Sequence, residues 1–258
     1  METYSNELLI HIKNELLTFD GPDSRHTSTE KIKNIKHILD NIQIIVIDGN
    51  IGIGKSTLIS SLFKLSKIHF ETCCEPADDK WKDELELFYS NPRVYAFRWE
   101  TFILKSMFVE QIDTLKRIIS QKSIEDLLEN THYILQERCI FSNAYCFGRN
   151  LYDEGNMTSN EWIQYETDVK KYKDLMMKPN LIFYMKGTPN TCYDRKNARN
   201  RTGEDKIGIP YLTDIHNKYE ELYTSSTIDD IPICVISGLS PSSVNQRKVI
   251  EKIEKIEK

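Results

Sequence analysis

Residues 49–56 read Gly-Asn-Ile-Gly-Ile-Gly-Lys-Ser, which fits G-x-x-x-x-G-K-[ST] without a mismatch. Gly49, Gly52 and Gly54 permit backbone torsions and close approach that a side chain forbids, so consecutive N–H groups can turn inward onto phosphate oxygens. At this spacing Lys55 reaches terminal phosphates, and the Ser56 hydroxyl is suited to ligate Mg²⁺. That chemistry needs a strand to deliver the loop and a helix to receive it. Ile44 to Ile47 is a short β-branched run of the kind buried on both faces of a parallel sheet. Leu58, Ile59, Leu62 and Phe63 then recur at helical spacing, and the positive end of that helix faces the same anion. A plain glycine turn is the competing reading; the complete motif in strand, loop, helix order favours the phosphate cradle.

Further groups able to do chemistry stand at the ends of other predicted strands. Ile68 to Cys73 leads into Glu75-Pro76, and the carboxyl ends of parallel strands face the ligand crevice, where a carboxylate can take a proton from a hydroxyl. Taken alone, Glu75 reads more readily as a solvated loop acid, and its functional reading rests on the motifs that follow. His132 to Leu135 leads into Gln136-Glu137-Arg138, an acid and a base that either serve Mg²⁺ and phosphate or pair with each other. Arg195-x-x-x-Arg199-x-Arg201, with Lys196 nearby, puts its first two guanidiniums on one helix face while the third begins to leave it. Such a cluster can neutralise a triphosphate and the charge of phosphoryl transfer; behind a phosphate loop we read it as a lid rather than a solvated basic helix.

Leu181 to Met185 and Ile233 to Ile236 complete a set of five predicted strands, with a charged helix from Val244 to Lys258 closing the chain. The alternation of strands and helices predicts an α/β domain with a mainly parallel sheet. Between Lys82 and Arg117 the period is helical, with a break at Ser90-Asn91-Pro92 and an aromatic cluster from Trp81 to Phe108, mostly core but with members able to line a pocket for a flat ring. Before the first strand, residues 1–40 carry two apolar helical patterns separated by Asp20-Gly21-Pro22-Asp23-Ser24; packing on the core is favoured over a role in oligomerisation or partial mobility, and the segment is assigned no chemistry.

Composition bounds the partners. A net charge of −5 gives no general basic excess, which argues against nucleic acid. The six cysteines form no C-x-x-C pair, favouring reduced thiols over disulfides or zinc. Lacking a stretch of membrane-spanning length or a leader-like amino terminus, the chain reads as cytoplasmic.

Taken together, GNIGIGKS, Glu75-Pro76 followed by Trp81, Tyr89 before a proline, Glu137-Arg138 and the triple-arginine segment resemble the deoxyribonucleoside kinase family, which includes deoxycytidine and deoxyguanosine kinases and the insect multisubstrate kinase. The resemblance runs from about Ile44 to the carboxyl end. It implies a P-loop kinase with a central, mainly parallel five-stranded sheet flanked by helices under an arginine-rich lid; the kinase domain is read over 41–258, after a helical extension over 1–40 that the resemblance leaves unexplained. The implied reaction is phosphorylation of a 2′-deoxyribonucleoside on its 5′-hydroxyl by ATP or another NTP with Mg²⁺. By the same resemblance, Gly49, Asn50, Ile51, Gly52, Ile53, Gly54, Lys55, Ser56 and Thr57 hold ATP, while Glu75 is the general base. Arg138 holds the hydroxyl and the transferring phosphate. Glu137 joins Ser56 at Mg²⁺, and Arg195, Arg199 and Arg201 close over the donor. Tyr89 and Glu204 match the pair that binds the sugar 3′-hydroxyl. Trp81, Leu85, Trp99, Glu100, Met107, Asn143 and Phe147 form the nucleoside pocket. A homodimer, through helices around residues 95 to 175, is implied as well.

The base pocket departs from the family pattern. Where the family has Phe-Gln, this chain has Trp99-Glu100 at unchanged spacing from Tyr89. An amide donates and accepts, whereas an ionised carboxylate only accepts, and against a ring acceptor it leaves an unmatched buried pair costing about 1–3 kcal/mol. Glu100 is therefore expected to turn from the base, to be protonated, or to select an edge offering donors. Met107 and Asn143 mix types found among relatives, Phe147 keeps the stacking aromatic, and Cys139 replaces a serine and is expected to be structural. The pattern implies a broad or unusual base preference. A nucleoside monophosphate kinase is the rival enzyme, and a non-catalytic relative or a nucleotide-dependent switch the rival from other classes.

Overall fold

The computed structural model of the protein describes residues 4–17, 24–65, 68–74, 78–201 and 204–255. The Ile-rich run at 42–48 forms β1 (Ile42–Asp48), buried along almost its whole length. Parallel strands β2 (Phe70–Cys73), β3 (His132–Glu137) and β4 (Leu181–Lys186) lie around it, and β6 (Ile231–Ser237) pairs parallel with β4. Their carboxyl ends share one edge of a sheet ordered β2-β3-β1-β4-β6-β5.

These five parallel strands are the five expected; the sheet has a sixth member. β5 (Thr227–Ile228) is a two-residue antiparallel edge joined to β6 through Asp229 and Asp230, whose φ values of 51° and 64° fit the turn that matches hairpin twist. Two residues of strand carry no period, and Asp-Asp lacks the glycine that usually marks such a turn.

Residues of β1 alternate between two core layers, Ile44 and Val46 in one, Ile45 and Ile47 in the other. The helices run in chain order as α1 (Asn6–Leu17), α2 (Ser24–Lys33), α3 (Ile35–Asp40), α4 (Lys55–Leu65), α5 (Asp78–Ser90), α6 (Pro92–Gln121) and α7 (Ile124–Glu129). After β3 come α8 (Ile140–Ser142), a π-helix over Asn143–Gly148, α9 (Arg149–Asp153) and α10 (Ser159–Leu175). α11 (Pro189–Arg199), a 3₁₀ turn at Glu204–Lys206, α12 (Ile209–Leu222) and α13 (Ser242–Ile253) complete the chain.

The described part of the amino-terminal segment packs on the core. Leu8, Leu9 and Ile12 of α1, with Ile35, Ile38 and Leu39 of α3, join the layer built on α6 and α10. Lys31 Nζ donates to the carbonyls of Ile119 (2.6 Å) and Lys122 (2.8 Å), satisfying acceptors that the end of α6 would otherwise leave open. Leu16 and Leu17, counted in the apolar pattern of α1, have side chains outside the described residues.

Candidate active site

The register Ile47↔Glu137 sets the phosphate loop beside the end of β3. The Arg138 N–H donates to Ile47 O at 3.1 Å, and Arg138 itself adopts a φ of 62°, a conformation that costs a non-glycine residue on the order of 1 kcal/mol and re-aims its side chain. In the loop, Gly52 has a φ of 78°, and a Cβ there would stand 2.3 Å from the carbonyl oxygen of Cys192 in α11. Only glycine lets the loop run this close to that helix.

Lys55 Nζ donates to the carbonyls of Gly49 (3.1 Å) and Asn50 (3.2 Å) and lies 3.8 Å from Glu137 Oε1, with Lys55 buried and Glu137 mostly so. Asn50 ties the loop to α12 through Leu212 O (2.8 Å), and Ser56 Oγ donates to Glu137 Oε1 at 3.1 Å. Two hard oxygen donors this close fit Mg²⁺, which takes one or two protein ligands and completes its shell from water and phosphate. No group of three or more His, Cys, Asp or Glu side chains able to hold a metal occurs among the described residues, so the site does not resemble an all-protein cage.

From this end a cavity of about 500 Å³ runs between α5, α6 and the π-helix. Ile51, Gly52, Lys55, Ser56, Glu137 and Arg138 line its polar end; Trp81, Leu85, Phe88, Tyr89, Trp99 and Phe147 supply flat or apolar walls. Trp99 stacks on Phe88 (5.7 Å, 15°) and meets Trp81 edge-on, while the Arg138 guanidinium lies 4.2 Å over the Phe147 ring. Trp81 is on α5 and is fixed by a 3.0 Å hydrogen bond to Ser106 Oγ. Met107 stands outside the main cavity, in a small recess with Cys73, Trp81, Ile103, Arg138 and Asn143. Thr57 is exposed on the first turn of α4. Glu75, with Pro76, lies outside the described residues.

Glu100 is 2% exposed. Tyr165 OH (3.0 Å) and Asn143 Nδ2 (3.1 Å) both donate to its Oε2, and Asn143 Nδ2 also reaches Tyr165 OH at 3.1 Å. Burial pushes the carboxyl up to about 8 against these two hydrogen bonds and the charge of Arg138. Tyr165 reaches it because Gly148 has no side chain: a Cβ there would lie 2.6 Å from Tyr165 Cε1.

The arginines separate. Arg195 Nη1 donates to Ile53 O and Gly238 O, both at 2.8 Å, holding the loop backbone to the end of β6. It does not line the cavity with Arg199 and Arg201, although the spacing put Arg195 and Arg199 on one helix face. α11 ends where Asn200 turns left-handed (φ 52°), which takes Arg201 off the helix. Arg199 pairs with Glu204 Oε1, and Lys196 Nζ donates to Glu204 O at 2.7 Å. Glu204 Oε2 is buried without a hydrogen-bond partner among the described residues, an acceptor open to a ligand hydroxyl in the same cavity as Tyr89. Burial, then the charge of Glu204, pushes the Tyr89 phenol up to about 12.

The deoxynucleoside kinase family model matches residues 45–257. The chain belongs to the deoxynucleoside kinase family. It is 29% identical over 206 residues to a probable deoxycytidine kinase of fowlpox virus (strain NVSL), covering 78% of this chain and 81% of that protein. To human deoxycytidine kinase it is 25% identical over 244 residues (83% and 90%), and to the mitochondrial deoxyguanosine kinase of Xenopus laevis 25% over 211 residues (73% and 76%). For this member of the family, residues beyond the sequence motifs now enter the site. Asp48, one residue before the loop, is fully buried and accepts from Gly49 N–H, Tyr219, Tyr223 and Cys139. Lys206 Nζ donates to Tyr89 O at 2.8 Å, pinning the 3₁₀ turn to α5. The position of Asp48 against the motif was a usable signal; Tyr165, 65 residues from Glu100, had none.

Proposed function

We propose that the chain transfers the γ-phosphoryl group of ATP, with Mg²⁺, to the 5′-hydroxyl of a 2′-deoxyribonucleoside, yielding the 5′-monophosphate for nucleotide salvage. The observation that carries this reading is one cavity that Lys55, Ser56, Glu137 and Arg138 share with Trp99, Glu100 and Phe147. That arrangement suits a flat, uncharged acceptor whose hydroxyl ends beside the donor's phosphates.

The phosphate loop and Lys55 hold the donor, and Arg138 holds the acceptor oxygen and the charge that develops on the transferring group. Ser56 and Glu137 would hold Mg²⁺, which supplies charge neutralisation on the phosphates when bound. Arg199 and Arg201 complete the donor site, with Arg195 acting on the loop backbone. Tyr89 and Glu204 take the sugar 3′-hydroxyl, using the open acceptor of Glu204. Glu75, assigned by resemblance, removes the proton from the 5′-hydroxyl. Catalysis is then mostly positioning and charge stabilisation.

Glu75→Ala and Arg138→Ala test these roles. Both variants should keep the parent's circular dichroism and bind nucleoside by calorimetry while turnover falls by about 10²–10⁴-fold. Near-parental rates in either would contradict the assignment. No helix among the described residues is long and apolar enough to cross a membrane, and their cysteines are unpaired thiols; a cytoplasmic setting is part of this proposal. So is a homodimer through α6 and α10, where α1 also packs; light scattering giving a monomer would remove it.

A further inference from the structure

The amide expected at position 100 is a carboxyl, and its surroundings fix how that carboxyl can present itself. Tyr165 and Asn143 both direct hydrogens at Oε2, while Asn143 also donates to the Tyr165 oxygen. In this arrangement the Tyr165 proton is directed at Glu100 and the Asn143 amide at both partners. A proton on Oε2 would face these donors, so a neutral Glu100 carries its proton on Oε1. Glu100 lines the cavity beside the Trp99 and Phe147 rings.

We propose that Glu100 meets the base as a neutral carboxylic acid donating from Oε1, so that the pocket selects bases with an unprotonated ring nitrogen beside an amino group, cytosine and adenine, over thymine and guanine. This rests on the reading of the cavity as a nucleoside site. The ring nitrogen of cytosine (N3) or adenine (N1) accepts from Oε1–H. In thymine (N3–H) and guanine (N1–H) the corresponding nitrogen is a donor, and two donors would face each other without water to separate them. Once ionised, Oε1 becomes an acceptor and the preference moves toward the N–H bases.

Burial, at 2% exposure, favours the neutral form against the groups that face Glu100. α10 contributes Tyr165, the π-helix contributes the uncharged Asn143, the turn after β3 contributes the Arg138 cation, and Tyr211 of α12 lines the same cavity and feels the charge of Glu100. Arg138, the cation among these groups, lies over the Phe147 ring. Burial outweighs it and pushes Glu100 up to about 8.

The test compares kcat/KM for deoxycytidine against thymidine, and for deoxyadenosine against deoxyguanosine, between about pH 6 and about pH 9, in the parent and in Glu100→Gln. Each pair matches in ring size, and the Gln variant reports any titration of the bases themselves. The parent should favour the amino-bearing base of each pair by about tenfold or more at the acid end. That preference should shrink by a similar factor at the alkaline end, while the ratios of Glu100→Gln follow the bases alone. Tyr165→Phe, which removes a hydrogen bond that favours the ionised acid, should move the parent's transition to higher pH. A preference for thymidine or deoxyguanosine at the acid end, or an equal drift of ratios in parent and Gln variant, overturns the proposal. An infrared difference spectrum, parent minus Glu100→Gln at neutral pH, reads the protonation state without turnover. A carboxylic-acid C=O stretch is expected there, and a carboxylate band in its place overturns the neutral acid. Turnover with none of the four nucleosides, the acid band being present, removes the base-reading role together with the proposed reaction.

Discussion

Tyr223 donates a 2.6 Å hydrogen bond to Oδ2 of Asp48, the residue that immediately precedes the phosphate loop. Cys139 shares that oxygen at 3.3 Å, and Tyr219 and the Gly49 N–H both reach Oδ1 at 2.8 Å. A fully buried carboxylate thus gathers donors from α12, from the turn after Arg138 and from the loop itself. Burial, then Asp48, pushes both phenols well above their ordinary range, which keeps them as donors, and the same burial pushes the Cys139 thiol up to about 12. Cys139 is therefore structural, a bridge between the Arg138 turn and the loop.

Because acceptors are needed on both oxygens, Asp48→Asn turns one atom into a donor facing donors. It should cost about 3 kcal/mol of stability in chemical denaturation, and Tyr223→Phe about 1 kcal/mol. Calorimetry should also show weakened ATP binding in Asp48→Asn, since Gly49 loses its anchor. A variant as stable as the parent would contradict this account of the loop.

Gly148→Ala places a methyl 2.6 Å from Tyr165 Cε1, a ring that is itself fully buried. About 1–3 kcal/mol of stability should be lost. Tyr165 holds Glu100, so the KM for nucleoside should rise while the KM for ATP stays near its parental value. Equal changes in both would place the damage elsewhere.

Glu100 also makes stability depend on pH. Its carboxyl stands at 4.5 unfolded and about 8 folded, so the folded state binds the extra proton between those values. Its contribution is full below pH 4.5 and is lost as pH rises through about 8. The Tm of the parent should fall across this window relative to Glu100→Gln, which has no such proton. A constant difference between the two Tm values would show that the folded state holds Glu100 ionised.

Ser56 Oγ and Glu137 Oε1, 3.1 Å apart, are the proposed Mg²⁺ donors. Ser56→Ala and Glu137→Gln should each weaken the apparent Mg²⁺ affinity, or the rate, by about 10–100-fold, read from the metal dependence of turnover. Nucleoside binding measured without metal should be unchanged. Parental Mg²⁺ dependence in both variants would rule them out as ligands.

The phosphate loop was legible because its geometry is written in contiguous residues, and the five parallel strands because each is an apolar run ending at a turn. Residues brought together from a distance were not legible. Tyr165 meets Glu100 through a π-helix, Asn143–Gly148, whose wider turn no 3.6-residue period announces and which carries both Asn143 and Phe147 into the cavity. Arg195 and Arg199 lie four residues apart, yet Arg195 turns to the carbonyls of Ile53 and Gly238, open acceptors that sequence spacing does not display. The start of α6 after the break at Asn91-Pro92 followed from proline at a helix start, while its end at Gln121 lies beyond the expected Arg117, and the Asp229-Asp230 hairpin carried no such mark.

The central claim is tested most directly by ADP release from ATP and Mg²⁺ with each of the four deoxynucleosides, beside cytidine and dTMP. The account predicts clear turnover with one or more deoxynucleosides, deoxycytidine or deoxyadenosine leading at neutral pH, and little with cytidine. Activity confined to dTMP would make the chain a monophosphate kinase, and silence with every acceptor despite measurable ATP binding would contradict catalysis altogether.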